Sequence, residues 1–181
     1  MYFEPKTIAL KDGTEAILRA PRIEDAPAML DFLLACANET EFLMRYPEEC
    51  ALPLEMEQQF IQRKLDSDSE VMIVCEIDGE FAGNCDLHFF TMQKIRHRGA
   101  VAIALYKKFW GKGIGTAMFR EMIALAKSHN LHQLELEYVE GNDRGRALYD
   151  KMGFEVIGVR PDAFRLQDGS MRAEYIMIKK L

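Results

Sequence analysis

Three alternating glycines, Gly111, Gly113 and Gly115, form the part of this sequence best suited to bind a ligand. Glycine has no β-carbon, so the backbone of such a loop can approach a bound group closely. The apolar run 100–106 before the loop is typical of a buried strand, and residues 117–127 after it have helical periodicity. The first N–H groups of a helix have no partner within it and carry a positive partial charge. The spacing therefore predicts a phosphate site between a strand and a helix.

Two common nucleotide-binding motifs do not fit this loop. A Walker loop requires Ser or Thr directly after its lysine, whereas Gly113 follows Lys112. A dinucleotide-binding fingerprint requires Gly or Ala three residues after its second glycine, and the two registers have Thr116 and Met118 there. The loop alone therefore indicates an anion site and leaves an ordinary turn as the alternative.

The charges near the loop favour an anionic small molecule. The chain has a formal net charge of −6, yet no Asp or Glu lies between Asp86 and Glu121. That stretch has seven basic side chains, namely Lys94, Arg96, Arg98, Lys107, Lys108, Lys112 and Arg120. A local positive field would attract phosphate groups, although a solvated basic surface is the alternative. The overall acidity disfavours nucleic acid as the partner, since phosphate backbones select a broad positive surface.

A second motif follows the loop and identifies a family. The strand-like run 133–139 precedes Asn142, and Ala147-Leu148-Tyr149 and Gly153-Phe154 come after it. The glycine loop and this motif, in this order and at this separation, resemble the GCN5-related N-acetyltransferase (GNAT) family. The resemblance covers about residues 15–180, from a first strand that contains Arg19 to a closing strand near Tyr175.

The resemblance implies an α/β fold with a mixed central sheet, splayed fourth and fifth strands, and helices on both faces. The cosubstrate of that family is acetyl-CoA, whose pantetheine arm pairs with free backbone groups of the fourth strand. By resemblance these groups belong to Ile103, Ala104 and Leu105. The rest of the predicted cofactor site consists of Asn142, Tyr149 and the pyrophosphate loop Trp110, Gly111, Lys112, Gly113, Ile114, Gly115 and Thr116.

This sequence departs from the family pattern at two positions. Trp110 stands where the family usually has Gln or Arg, so a side-chain donor to phosphate is lost, while the backbone cradle is expected to remain. Gly145 stands where the second motif usually has Ala. Glycine costs a helix about 1 kcal/mol relative to alanine, which predicts a looser turn there.

The implied reaction is acetyl transfer from the thioester to a primary amine. Tyr149 aligns with the tyrosine that lies beside the sulfur and is the predicted general acid; core packing is the alternative role for this ring. Glu137 stands five residues before Asn142, where some members have a catalytic glutamate, and is the predicted base, alone or through water. Glu135 shares its strand face. A solvated carboxylate or an anchor for the substrate cation is the alternative role of Glu137.

The resemblance implies a single acetyltransferase domain over residues 1–181, and the length and composition of the chain agree with it. We predict that this domain is cytoplasmic. No apolar run approaches the about 20 residues of a membrane span, and the first residues lack the pattern of a signal peptide. The four cysteines have no metal-ligand spacing, so we predict structural thiols and no metal site. Helices are predicted over 24–37 and 54–65, and a hairpin at Asp78-Gly79.

The acceptor amine is not identified by the sequence. The resemblance assigns its site to residues 38–54 and 160–171, where Glu39, Glu41 and two further glutamates could attract a cation or be solvated. A small molecule or a peptide both fit, and the closing strands of this family can pair two subunits as a homodimer. The main alternative function is a non-catalytic acyl-CoA-binding sensor on the same fold.

Overall fold

The computed structural model describes residues 1–181 and has one mixed eight-stranded sheet with helices on both faces, as predicted. The strands are β1 Lys6–Ala9, β2 Glu15–Arg19, β3 Glu70–Ile77, β4 Glu80–Phe89, β5 Arg98–Leu105, β6 Gln133–Val139, β7 Glu155–Arg165 and β8 Met171–Lys180. The helices are α1 Ala26–Glu39, α2 Leu54–Asp66, α3 Ile114–Ser128 and α4 Asp143–Lys151. Within the sheet the order is β1-β2-β3-β4-β5-β6-β8-β7. The splayed fourth and fifth strands of the prediction are β5 and β6, because β1 precedes the predicted first strand.

Two apolar clusters hold the layers together. On one face, α3 packs on the central strands through fully buried Met118, Phe119 and Met122. On the other face, α1 and α2 pack on β3 and β4 around Phe32 and Ile61. Alternate side chains of a strand point to opposite faces, so the continuous apolar strand β3 supplies both clusters.

The hairpin between β3 and β4 is confirmed, with positive φ angles of 50° at Asp78 and 80° at Gly79. Strand β1 was not predicted, because its four residues include only one large apolar side chain, that of Ile8.

All four cysteines are free and buried, as predicted for structural thiols. Burial raises the pKa of Cys36 and of Cys75 to about 12, which keeps both thiols protonated. None of the helices has the length and apolar character that crossing a membrane requires.

A buried ion pair fixes the start of α1 against the sheet. The guanidinium of Arg19 bonds Asp25 at 2.7 and 2.8 Å and Glu76 at 2.9 Å. Burial alone would raise the pKa of Asp25, but the bonds from Arg19 and from the Arg22 backbone lower it overall. Stability from this pair is therefore present above the unfolded pKa of 3.8 and is lost as the pH falls through the lowered value.

We expect Asp25→Asn to lower the free energy of unfolding by about 3 kcal/mol at pH 7, because it leaves the Arg19 charge partly uncompensated in a buried site. Chemical denaturation measures the change. Glu80→Gln is the matched control, since the Glu80–Lys108 pair is exposed on both sides and contributes little. Equal stability of the Asp25→Asn variant and the wild type would contradict the assignment.

Candidate functional site

A gap opens between β5 and β6 because the two parallel strands separate soon after they meet. Only Arg98–Ala100 pair with Gln133–Glu135, and the rest of β5 pairs with β4 alone. Hydrogen bonds from Phe90 to Arg98 and from Tyr106 to Ala82 bracket the β4–β5 ladder. The second side of β5 thus faces an open cleft over residues 101–105.

The backbone of β5 is available to this cleft at alternate residues. In an antiparallel ladder every second residue bonds the neighbouring strand, so Ala104 directs its N–H and C=O toward β4. The backbone groups of Ile103 and Leu105 point to the gap. Of the three residues predicted to bind pantetheine, Ala104 therefore contributes its side chain to the cleft wall, while the other two present backbone groups.

Trp110 packs against the end of β5 and extends the cleft wall. Its indole N–H donates to the Leu105 carbonyl at 2.9 Å, so it is not free to donate to a phosphate. The guanidinium of Arg144 lies 5.3 Å from the centre of the Trp110 ring, a cation–π contact. Trp110 therefore supplies no polar side chain of its own to the loop. Its ring instead packs against the guanidinium of Arg144, which comes from α4.

The glycine loop ends in a helix start that has no side-chain cap. Gly113 is the residue before α3, with φ of 100°, a conformation that side chains rarely adopt. The N–H groups of Ile114, Gly115 and Thr116 have no acceptor in the chain, and all three residues line the cleft. The arrangement offers unpaired donors and the positive end of a helix of 15 residues to an anion.

Gly115 allows α3 and α4 to approach each other. A β-carbon there would lie 2.8 Å from Cδ2 of Leu148, which is closer than such atoms pack. Because the two helices are so close, the second sequence motif, which lies in and around α4, is next to the glycine loop that precedes α3.

Asn142 caps α4 and explains the glycine three residues later. Its Oδ1 accepts a hydrogen bond from the Gly145 N–H at 2.9 Å, and its amide nitrogen donates no hydrogen bond within the chain. A β-carbon on Gly145 would lie 2.7 Å from that nitrogen. The expectation of a loose turn was therefore wrong, because glycine is what lets the cap close tightly.

Tyr149 lies under the cleft with its ring buried between aromatic neighbours. Its ring centre is 5.7 Å from that of Phe119 and 5.9 Å from that of Tyr138. Burial raises the pKa of Tyr149 to about 12, with a smaller effect from Tyr138. The hydroxyl makes no hydrogen bond within the chain, so a neutral O–H donor is left for a ligand in the cleft.

Three carboxylates from β6 and β8 line the other part of the cleft. Glu135 and Glu137, which the sequence placed on one strand face, both line it. Glu135 pairs with Arg98 at 3.1 Å, and Glu137 pairs with Arg160 at 3.4 Å.

Glu174 was not predicted and shares Arg160 with Glu137. Glu174 is 8% exposed, and burial, together with the charge of Glu137, raises its pKa. Glu174 is the only acidic residue of β8 and directly precedes the apolar run 175–178, which was the signal in the sequence that could have singled it out.

The whole cleft has a volume of about 880 Å³ and passes from the glycine loop to the carboxylates. Its apolar lining includes the side chains of Phe42, Leu43, Met44, Phe90 and Phe164. Of the glutamates predicted in the acceptor segment, Glu39 lines the cleft but accepts from the Lys107 N–H at 2.9 Å. No group of three or more His, Cys, Asp or Glu side chains is arranged to hold a metal ion.

The basic stretch of the sequence does not provide the cations of the cleft. None of its seven side chains lines the cleft, and Lys112 instead bonds Asp12 at 2.6 Å. The positive groups that line it come from other elements, namely Lys11, Arg144 and Lys151. The expectation that this basic stretch supplies the positive field at the ligand was wrong, because its side chains lie outside the cleft and acidic partners pair with Arg98, Lys108 and Lys112.

These features fit a nucleotide-linked thioester such as acetyl-CoA. Unpaired N–H groups suit its phosphates, and the free backbone groups of β5 suit the amides of its pantetheine arm. The cleft then leads that arm through the gap in the sheet toward Tyr149 and the carboxylates.

The comparisons with known proteins agree with this geometry. The family described as "Acetyltransferase (GNAT) domain" matches residues 15–155. An acetyltransferase of Pectobacterium atrosepticum is 26% identical over 123 residues, which are 66% of this chain and 84% of that protein.

Two solved structures share the fold over most of their length. A GNAT acetyltransferase of Streptococcus pneumoniae superposes with a TM-score of 0.84 at 24% identity, covering 92% of this chain and 99% of that one. A putative acetyltransferase of Salmonella typhimurium, solved with its cofactor acetyl-CoA, gives 0.77 at 16% identity over 92% and 94% of the two chains. The chain therefore belongs to the GNAT family of acetyltransferases.

Proposed function

We propose that this protein transfers an acetyl group from acetyl-CoA to a primary amine that attacks the thioester directly. The observation that carries the proposal is a single cleft that joins the glycine loop, the unpaired Tyr149 hydroxyl and the carboxylates of β6 and β8. Attack by the amine forms a C–N bond, breaks the C–S bond and leaves a thiolate. Protons must then be moved at two points, the amine nitrogen and the sulfur.

The residues of the cleft are suited to those two proton transfers. Glu137, directly or through a water molecule, accepts the proton of the amine. Tyr149 donates its proton toward the departing sulfur, and its raised pKa of about 12 ensures that the proton is present beforehand. The Leu105 carbonyl is already bonded by Trp110, so the backbone of Ile103 is the proposed partner of the pantetheine amide.

The apolar residues that share the cleft with Glu137 support an amine carried on an apolar group. Phe42, Met44 and Phe164 offer apolar contact, and the nearby carboxylates attract an ammonium before it loses its proton. A peptide N-terminus or a small apolar amine both satisfy this description.

A test of the overall function is a panel of such amines, with thiol release as the readout and mass spectrometry of the product. Turnover with an amine supports the proposal. Tight binding of acetyl-CoA without acceleration of thiol release by any amine would favour the sensor function instead.

We expect Glu137→Gln to lower kcat about 100-fold, because an amide cannot accept the proton of the amine. Glu174→Gln is the matched comparison, since both carboxylates meet Arg160 and both line the cleft. Steady-state kinetics with a fixed amine measure both variants. A larger loss for Glu174→Gln would transfer the role of base to that residue, whose raised pKa would give a rate that increases as the pH rises through it.

A further inference from the structure

Two basic side chains lie against the glycine loop, Arg144 at Gly111 and Lys11 at Gly113, and neither has an acidic partner. Arg144 comes from the first turn of α4, and Lys11 comes from the turn between β1 and β2. Both line the cleft, and neither side chain forms a hydrogen bond or ion pair in the chain. Their charges are therefore not neutralised within the protein, unlike those of Lys108 and Lys112.

Arg144 lies directly over the start of the loop. Its Nη2 is 3.1 Å from the position that a β-carbon on Gly111 would occupy. The Trp110 ring lies under the guanidinium at 5.3 Å and restricts its position without using its N–H groups. A guanidinium held in this way keeps its planar set of donors for an anion that lies on the loop.

Lys11 reaches the loop at Gly113 because the β1–β2 turn is bound to the loop. The Lys11 N–H donates to the Lys112 carbonyl at 3.0 Å, and the Lys112 ammonium bonds Asp12 at 2.6 Å. The Lys11 side chain consequently runs past Gly113, with its Cγ 3.4 Å from where a β-carbon on that glycine would be. The bonds of Lys112 thus anchor the turn that presents Lys11.

We infer that Arg144 and Lys11 together form a clamp on the pyrophosphate of the cosubstrate, one at each of two loop glycines, with Trp110 as the positioning residue of Arg144. The inference rests on the proposed use of the loop for acetyl-CoA and extends it to side chains outside the loop. The clamp supplies the charged donor that the loop lacks at Trp110. The pyrophosphate is the assigned group because both side chains lie against glycines of the loop, where the pyrophosphate is expected to bind.

The test is calorimetric binding of three probes to the full chain: acetyl-CoA, its 3′-dephospho form and S-acetyl-pantetheine. We expect Arg144→Ala to weaken the two nucleotide-linked probes about 10- to 100-fold, the value of one charged hydrogen-bonding group. S-acetyl-pantetheine has no pyrophosphate, so its affinity should not change. Lys11→Ala should give the same pattern with a smaller loss, since Lys11 lacks the planar donors of Arg144.

Arg146→Ala is the matched control, because Arg146 has the same charge on the same helix, pairs with Asp150 at 3.6 Å and does not line the cleft. Its binding of all three probes should equal that of the wild type. Trp110→Leu should weaken binding, but it should add little to Arg144→Ala if the ring acts through the guanidinium. Thermal unfolding of each variant shows whether it is folded.

Three results would overturn the clamp. One is normal binding of acetyl-CoA by Arg144→Ala, another is an equal loss for S-acetyl-pantetheine, and the third is a loss confined to the 3′-phosphorylated probe. Failure of the wild type to bind acetyl-CoA at all would instead contradict the proposed function.

Discussion

Gly113→Asp should lower the affinity for acetyl-CoA by about 100-fold or more, because it puts a negative charge where phosphate is expected. Gly113 is the residue before α3, and the N–H groups of the first helical turn have no acceptor there. An aspartate at this position would itself cap those groups and would repel the ligand as well. Its φ of 100° adds strain for any side chain.

Gly79→Asp separates the effect of charge at the loop from the effect of backbone strain. Gly79 also has a left-handed φ, of 80°, and a β-carbon there would contact nothing within 4 Å. It lies in the β3–β4 turn, away from the residues that line the cleft. The two variants should therefore lose similar stability, while only Gly113→Asp loses calorimetric binding. An unchanged Kd for Gly113→Asp would show that phosphate does not lie on the loop.

The elements around the site were predictable because their signals are local. Alternating glycines, a helix-period run and a strand-period run each determine the conformation of a few adjacent residues. Strand β6 was predicted with its observed limits Gln133–Val139, and α2 ends one residue beyond the prediction. The separation of β5 from β6 came from the resemblance and not from periodicity, since the pairing of strands distant in sequence leaves no local pattern.

The sequence predicted less well where the chain breaks a local rule. The sequence predicts a strand over residues 154–159, but β7 continues past Pro161 to Arg165. The register with β8 shifts between Arg160 and Phe164, and this irregularity accommodates a residue without an N–H. The longer strand is what brings Phe164 to the cleft.

The charges of the site were the least predictable part. Lys11 and Arg144 are 133 positions apart and meet the same loop only because of the tertiary fold. The basic stretch that surrounds the loop in sequence is instead directed to acidic partners such as Asp12 and Glu80. Proximity in sequence predicted the backbone of the site well and its electrostatic field poorly.

The hydroxyl of Tyr149 is expected to contribute about 100-fold or more to kcat, the usual effect of a positioned general acid. Tyr149→Phe keeps the ring and its contacts with Phe119 and Tyr138, so the Kd for acetyl-CoA should be nearly unchanged. Burial holds the pKa of Tyr149 at about 12, and the phenol is therefore protonated throughout the usual assay range. A falling rate above neutral pH in the wild type would have to come from another group.

Tyr138→Phe is the control for this prediction, because its ring is also buried and stands 5.9 Å from Tyr149. The Tyr138 hydroxyl is buried without a hydrogen-bond partner. Its removal should leave kcat unchanged and should raise stability slightly, since a buried unsatisfied group is lost. Pre-steady-state thiol release with a good amine compares the two variants. Equal turnover of Tyr149→Phe and the wild type would mean that solvent protonates the sulfur. Equal losses for both variants would mean that the two hydroxyls contribute equally, so the role of general acid could not be assigned to Tyr149 alone.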